Sequence, residues 1–188
     1  PEELAAKPYA RFALTASGVS PISHPGMERG TYLAAGIEHN EQGDPTSSGT
    51  LHAKMNEKRF RKLEPLKQRS DLFEVQGKST ASLGLIAWGS TAGVAREAYQ
   101  LLTAKGHDVK LLVPYLLHPI AEQVYADFFR SLKGGLVVAL SHQGQLYRLL
   151  RMFTEVPPTV RSFCRSGANP FQPAELAARL LDLKGQPS

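Results

Sequence analysis

Leu83-Gly84-Leu85-Ile86-Ala87-Trp88-Gly89-Ser90-Thr91-Ala92-Gly93 decides the fold. The run from Leu83 to Trp88 is apolar or glycine without polar alternation, as in a strand covered on both faces. A Gly-Ser-Thr turn follows. Residues 94–105 then place Val94, Ala98, Leu101 and Leu102 on one helical face, with Gly106 as the expected C-cap. The alternation continues downstream. Residues 108–113 read as a strand and 119–132 as a helix starting at Pro119, with Val124, Phe128 and Leu132 in line. Gly134-Gly135 gives way to an apolar strand over 136–140. A helix over 143–153 turns Leu146, Leu149 and Leu150 inward, a strand covers 159–165, and a last helix covers 173–183. Strands alternating with helices of about 10–15 residues predict a mostly parallel sheet between two helical layers, a three-layer α/β domain over 80–188.

Upstream, residues 1–79 have weak periodicity. Residues 10–14 and 31–37 are candidate short strands, 17–21 a turn and 44–49 a loop; Pro21, Pro25, Gly26 and Gly30 punctuate the chain. Residues 52–63 have helical composition, with Met55 and Arg59 at i, i+4, and Pro65 limits them. Few positions here can build a continuous core. The segment therefore reads as an extended, irregular arm that packs on something else.

Composition bounds the function. The 188 residues are 42% hydrophobic and 21% charged, ordinary globular material. There is no apolar run of about 18 residues and hence no candidate membrane helix. Pro1-Glu2-Glu3-Leu4 has no signal-peptide features, and the missing initiator Met suggests a chain with an upstream part. Cys164 is the only cysteine, so an internal disulfide and a cluster needing about four thiolates are both excluded. In its apparent strand, Cys164 reads as a small hydrophobe, and a reducing cytoplasm is the expected setting. The net charge of +5 is mixed rather than striped. Only residues 58–69 are locally basic, and they lack the interleaved aromatics of a single-strand binder, so no nucleic-acid partner is expected.

Gly89, Ser90, Thr91 and Gly93 are the candidates for binding a phosphate, because they form a strand-to-helix turn. The pattern is not Gly-x-Gly-x-x-Gly and no P-loop lysine follows, which favours a tight turn capped by Ser90 or Thr91. A flavodoxin-like module holding an anionic cofactor there is the alternative reading. Glu38, His39, Glu41 and Asp44 match no zinc or EF-hand spacing, so no metal site is expected. Ser141-His142 lies at a strand end, but adjacent strand residues point to opposite faces and no Gly-x-Ser-x-Gly elbow is present.

Taken together, several motifs resemble the α subunit of 2-oxoacid:ferredoxin oxidoreductases, closest to the 2-oxoglutarate type. In the arm they are Lys7-Pro8-Tyr9-Ala10-Arg11-Phe12, Gly18-Val19-Ser20-Pro21, Pro25-Gly26, Gly36-Ile37-Glu38-His39-Asn40-Glu41-Gln42-Gly43 and Lys58-Arg59-Phe60-Arg61-Lys62-Leu63. In the α/β half they are Trp88-Gly89-Ser90-Thr91, Gly144-Gln145-Leu146 and Pro170-Phe171, which look like the transketolase C-terminal-type domain of that family. The family often carries Glu-x-Asn before Gly-Gln-Leu. Here Ala139 and Ser141 stand in those places. The family's Tyr-Pro-Ile-Thr-Pro and Gly-Asp-Gly motifs do not occur.

The resemblance implies oxidative decarboxylation of a 2-oxoacid to an acyl-CoA, with ferredoxin accepting the electrons. The whole enzyme would use thiamine diphosphate, Mg2+, a 4Fe–4S cluster and coenzyme A. It implies a partner β subunit carrying thiamine diphosphate and the cluster, an upstream pyrimidine-binding domain, and an oligomer. No catalytic residue and no cofactor ligand falls within this chain on that reading. Its expected role is scaffold and interface, with Glu38, His39, Arg59 and Arg61 as anchors toward carboxylates of another chain.

Overall fold

The computed structural model describes residues 9–183. It divides into two compact units, Pro1–Pro65 and Leu66–Ser188. The motif residues Lys7 and Pro8 lie outside the described residues.

The second unit is the expected three-layer α/β fold. Its five strands are β1 (Phe73–Gln76), β2 (Leu83–Ala87), β3 (Val109–Pro114), β4 (Gly134–Ala139) and β5 (Val160–Cys164), in the order β1-β3-β2-β4-β5. β2, β3, β4 and β5 are parallel, while β1 pairs antiparallel with β3 from Phe73 opposite Pro114 to Gln76 opposite Leu111. β1 has no counterpart in the sequence-based expectation, which placed residues 66–79 in the arm. It is short, half-exposed and paired far along the chain, so local pattern does not announce it.

The helices are α2 (Thr91–Ala104), α3 (Glu122–Phe129), α4 (Gln145–Phe153) and α5 (Pro173–Asp182). Strand side chains alternate between two cores. Leu83, Leu85, Val109, Leu111, Val113, Leu136 and Val138 face α2 and α5; Ile86, Leu112, Val137 and Val160 face α3 and α4. α2 ends as expected: Gly106 has φ +78, and the N–H groups of Gly106 and His107 reach Thr103 O and Leu102 O at 2.9 and 3.0 Å, a Schellman closure. Two expectations are corrected. Pro119 does not start a helix; α3 begins at Glu122, after an uncapped Ala121. Gly134 and Gly135 do not precede β4 but lie within it, in register with Leu83 and Gly84 of β2. A Cβ on Gly84 would lie 2.8 Å from Leu132 Cδ1, and one on Gly135 3.3 Å from it. This bare patch of sheet is what lets Leu132 sit down on it.

The first unit contains α1 (Gly49–Arg61), which starts earlier than its composition suggested because Ser48 caps it, Oγ accepting the Leu51 N–H at 3.3 Å. The strands expected at 10–14 and 31–37 do not form. The backbone there is satisfied differently: Phe12 N–H donates to Glu41 O (3.0 Å), Leu14 N–H to Glu41 Oε2 (2.7 Å), and Ser20 Oγ–H to Ala13 O (2.9 Å). Among the described residues of this unit the β-pairing is the single bridge His39–Pro45. Among the described residues, no helix is long and apolar enough to cross a membrane.

Candidate functional site

In the second unit the chain runs from β2 to β3 on one side and then crosses to β4 on the other. Adjacent connections thus diverge at the carboxyl ends of β2 and β4, where open α/β sheets form their crevice. A cavity of about 220 Å³ lies there, lined by Trp88, Gly89, Ser90, Thr91, Ala139, Leu140, Ser141, Gln145 and Leu146. Of the four phosphate-binding candidates, Gly89, Ser90 and Thr91 line the cavity, while Gly93 lies within α2 and does not. The chemistry around them is that of a closed turn. Thr91 and Ala92 N–H donate to Trp88 O and Gly89 O at 3.2 and 3.1 Å, and the Thr91 hydroxyl donates to Trp88 O at 2.8 Å. Ser90 occupies the cap position without a side-chain hydrogen bond. No Lys, Arg or His lines the cavity. The Thr91 and Ala92 N–H groups and the Thr91 hydroxyl are thus spent within the turn, and no cation lines the cavity to hold an anion.

The two departures from the family pattern also lie here. Ala139 is buried. The Ser141 hydroxyl accepts the Gln145 N–H at 3.1 Å, so it holds the first turn of α4. Gly144 enters that helix at φ +63, where a Cβ would lie 2.3 Å from Ser162 Oγ. His142 Nδ1 lies 2.9 Å from Ser166 Oγ, not from Ser141. Cys164 is half-buried, its Sγ 4.0 Å from His142 O.

Of the four arm residues expected as anchors, Glu38 and Arg59 meet each other, His39 lines a cavity with Arg59, and Arg61 points to a separate loop. Arg59 forks onto Glu38 with two bonds, Nη1–Oε2 3.0 Å and Nη2–Oε1 2.7 Å. His52 Nε2 stands 3.4 Å from Glu38 Oε2, a contact that sequence reasoning missed. The Arg59 guanidinium holds the Glu38 carboxyl well down, at about 2. Arg61 donates to Thr15 O (3.1 Å), and His39 lies against Phe12 with ring centroids 4.0 Å apart. The carboxylate that Arg59 meets is therefore in its own arm. Asn40 organises the loop behind them: its Oδ1 accepts the N–H groups of Gln42, Gly43 and Asp44 at 3.0, 3.0 and 2.9 Å. Glu38, His39, Glu41 and Asp44 do not converge; among the described residues, no group of three or more potential ligands could hold a metal ion.

No family model matches the chain. The solved 2-oxoglutarate:ferredoxin oxidoreductase of Magnetococcus marinus, with 2-oxoglutarate, coenzyme A and succinyl-CoA bound, is similar at a TM-score of 0.81 and 36% identity. That match covers 95% of this chain and 31% of that one. Subunit α of 2-oxoacid:ferredoxin oxidoreductase 2 from Aeropyrum pernix is 28% identical over 153 residues, 80% of this chain and 24% of the relative. Subunit α of 2-oxoacid:ferredoxin oxidoreductase 1 from Sulfurisphaera tokodaii is 27% identical over 176 residues, 92% of this chain and 27% of the relative. The chain spans about a quarter of the length of the curated relatives it matches. Along most of its own length, then, the chain is similar to part of the α subunits of 2-oxoacid:ferredoxin oxidoreductases.

Proposed function

We propose that the chain is a part of the α subunit of a 2-oxoglutarate-type 2-oxoacid:ferredoxin oxidoreductase, serving as its scaffold and interface rather than its catalytic centre. The observation that carries this reading is the 36% identity at a TM-score of 0.81 over 95% of the chain to an enzyme solved with 2-oxoglutarate and coenzyme A bound. The whole enzyme converts a 2-oxoacid and coenzyme A to an acyl-CoA and passes the electrons to ferredoxin. Thiamine diphosphate with Mg2+ and a 4Fe–4S cluster supply that chemistry from a β subunit and from upstream α-subunit domains, among them a pyrimidine-binding domain before the arm. The residues of this chain fit that division. A single cysteine cannot ligate a cluster, and the crevice of the α/β unit has no cation for a diphosphate. Its α/β unit is of the transketolase C-terminal type. Glu38, His39, Arg59 and Arg61 shape the arm from within and hold the surface that meets the neighbouring domains. The assembly works in the cytoplasm as an oligomer. A flavodoxin-like role has no support in the relatives or in the crevice.

The test is to produce the full-length α subunit with its β subunit and follow ferredoxin reduction. Reduction that requires both 2-oxoglutarate and coenzyme A is the expected result. Activity confined to pyruvate removes the 2-oxoglutarate assignment, and no activity with any 2-oxoacid removes the reading itself.

A further inference from the structure

The first unit holds an excess of positive charge around one cavity. The cavity, of about 300 Å³, is lined among others by Arg11, Phe12, Met55, Lys58, Arg59 and Lys62. Arg59 is neutralised by Glu38. The remaining three cations are Arg11, Lys58 and Lys62, and none of them makes an ion pair among the described residues. Glu41 is the acid whose field reaches Lys58, and its carboxylate accepts the Leu14 N–H. Three cations against one carboxylate leave two charges uncompensated.

Two of the donors are buried. Lys58 is 7% exposed and spends one N–H on Phe12 O at 2.7 Å, leaving two. Arg11 Nε is buried with no hydrogen-bond partner among the described residues, while its guanidinium lies 5.5 Å from the Phe12 ring centroid and 5.8 Å from that of Tyr32. Aromatic faces steady a guanidinium but do not satisfy its N–H groups. Burial first, then the fields of Lys62, Arg11 and Arg59, push the Lys58 ammonium down from its ordinary value. Such a group gains from an anion. The wall is also built in advance: Gly18, at φ +80, lies so close to α1 that a Cβ would stand 2.6 Å from Lys58 O.

We propose that this cavity binds a phosphate-class oxyanion, either inorganic phosphate or the terminal phosphate of a small ester. The excess of two charges matches a dianion, whereas a carboxylate would neutralise half of it. A tetrahedral group accepts from several directions, which suits donors on the Arg11 loop and on α1. The cavity is larger than phosphate alone, and Phe12 and Met55 give an apolar wall for the first carbons of an ester. This inference does not depend on the enzymatic reading.

Calorimetric titration of the 188-residue chain with inorganic phosphate, glycerol 3-phosphate and acetate tests it. Lys62 is exposed, so Lys62→Gln leaves the fold intact; Arg11→Gln is the second variant, its folding checked by circular dichroism. Saturable one-site binding of phosphate is expected, tighter than acetate and weakened about tenfold or more in either variant. Tighter binding of glycerol 3-phosphate identifies an ester as the ligand; equal or weaker binding identifies the free ion. Acetate binding as well as phosphate, phosphate failing to saturate, or both variants binding like the parent overturns the proposal.

Discussion

Glu74 accepts from Arg96 Nε at 2.9 Å, from Arg96 Nη2 at 2.5 Å and from the Tyr115 hydroxyl at 2.8 Å, and so fastens the edge strand β1 to α2 and to the end of β3. Hydrogen bonds from the Arg96 guanidinium, above all, hold its carboxyl down from 4.5 to about 2. A shift of that size corresponds to about 3 kcal/mol in full. With the two side chains 22% and 35% exposed, solvent screens it to about 1–2 kcal/mol. Glu74→Gln is expected to lower stability by that amount at pH 7, measured by urea denaturation. Because the folded pKa is depressed, the contribution is complete above the unfolded value near 4.5 and is lost as pH falls from there toward 2. The gap between parent and variant should therefore close in that window. Glu38 follows the same sign: Glu38→Gln should lower the melting temperature at neutral pH and have less effect near pH 3. Neither pairing was legible in the sequence. Glu38 and Arg59 were each singled out, but they lie 21 positions apart and only the fold of the arm brings them face to face.

Among elements, the strands β2 to β5 were legible and several helix starts were not. Continuous apolar runs announce β2 and β4, buried along their whole length, whereas β5 is interrupted by the exposed Arg161 and Ser162. A helix start is announced only when a side chain caps it. Ser48 does so for α1, and the cap was available to be read before Gly49. Ala121 ahead of α3 caps nothing, and Pro119 misdirects. At α4 the start depends on backbone conformation instead. Gly144 sits at φ +63 against Ser162, so Gly144→Ala meets both an unfavourable backbone region and a Cβ 2.3 Å from Ser162 Oγ. A loss of about 1–3 kcal/mol is expected, read from the denaturation midpoint. Gly144→Ala together with Ser162→Gly should recover the part due to collision but not the part due to the left-handed backbone. The strand-to-helix turn at Gly89 was readable in the sequence, and the structure puts a cavity beside it. Which carbonyls the Thr91 and Ala92 N–H groups find was not readable, because that depends on the conformation of the turn.

At the scale of the molecule, the two compact units meet in sequence at Pro65 and Leu66, well before residue 80, where the apolar pattern begins. The difference is testable. A chain starting at Leu66 keeps β1 and should unfold cooperatively. One starting at residue 80 loses the antiparallel ladder on β3 and the burial of Phe73, which is 8% exposed. Burying a phenylalanine alone is worth about 1.5–3 kcal/mol. The shorter chain should therefore have a clearly lower urea midpoint, and light scattering should show it associating. Equal midpoints would make β1 an ornament rather than a part of the sheet.

The strand order leaves two outer strands in the described sheet, β1 on one side and β5 on the other. An outer strand offers a row of unsatisfied N–H and C=O groups on which another chain can grow. β1 escapes by being short and by lying under the Glu74–Arg96 clasp. β5 depends on what stands out from it, and there the exposed Arg161 and Ser162 interrupt an otherwise apolar Val-Arg-Ser-Phe-Cys run. An exposed charge at Arg161 is the kind of residue that discourages strand addition at an edge. Arg161→Val would create a stretch of high strand propensity without charge, and thioflavin fluorescence on gentle heating should rise in that variant while the parent stays clear.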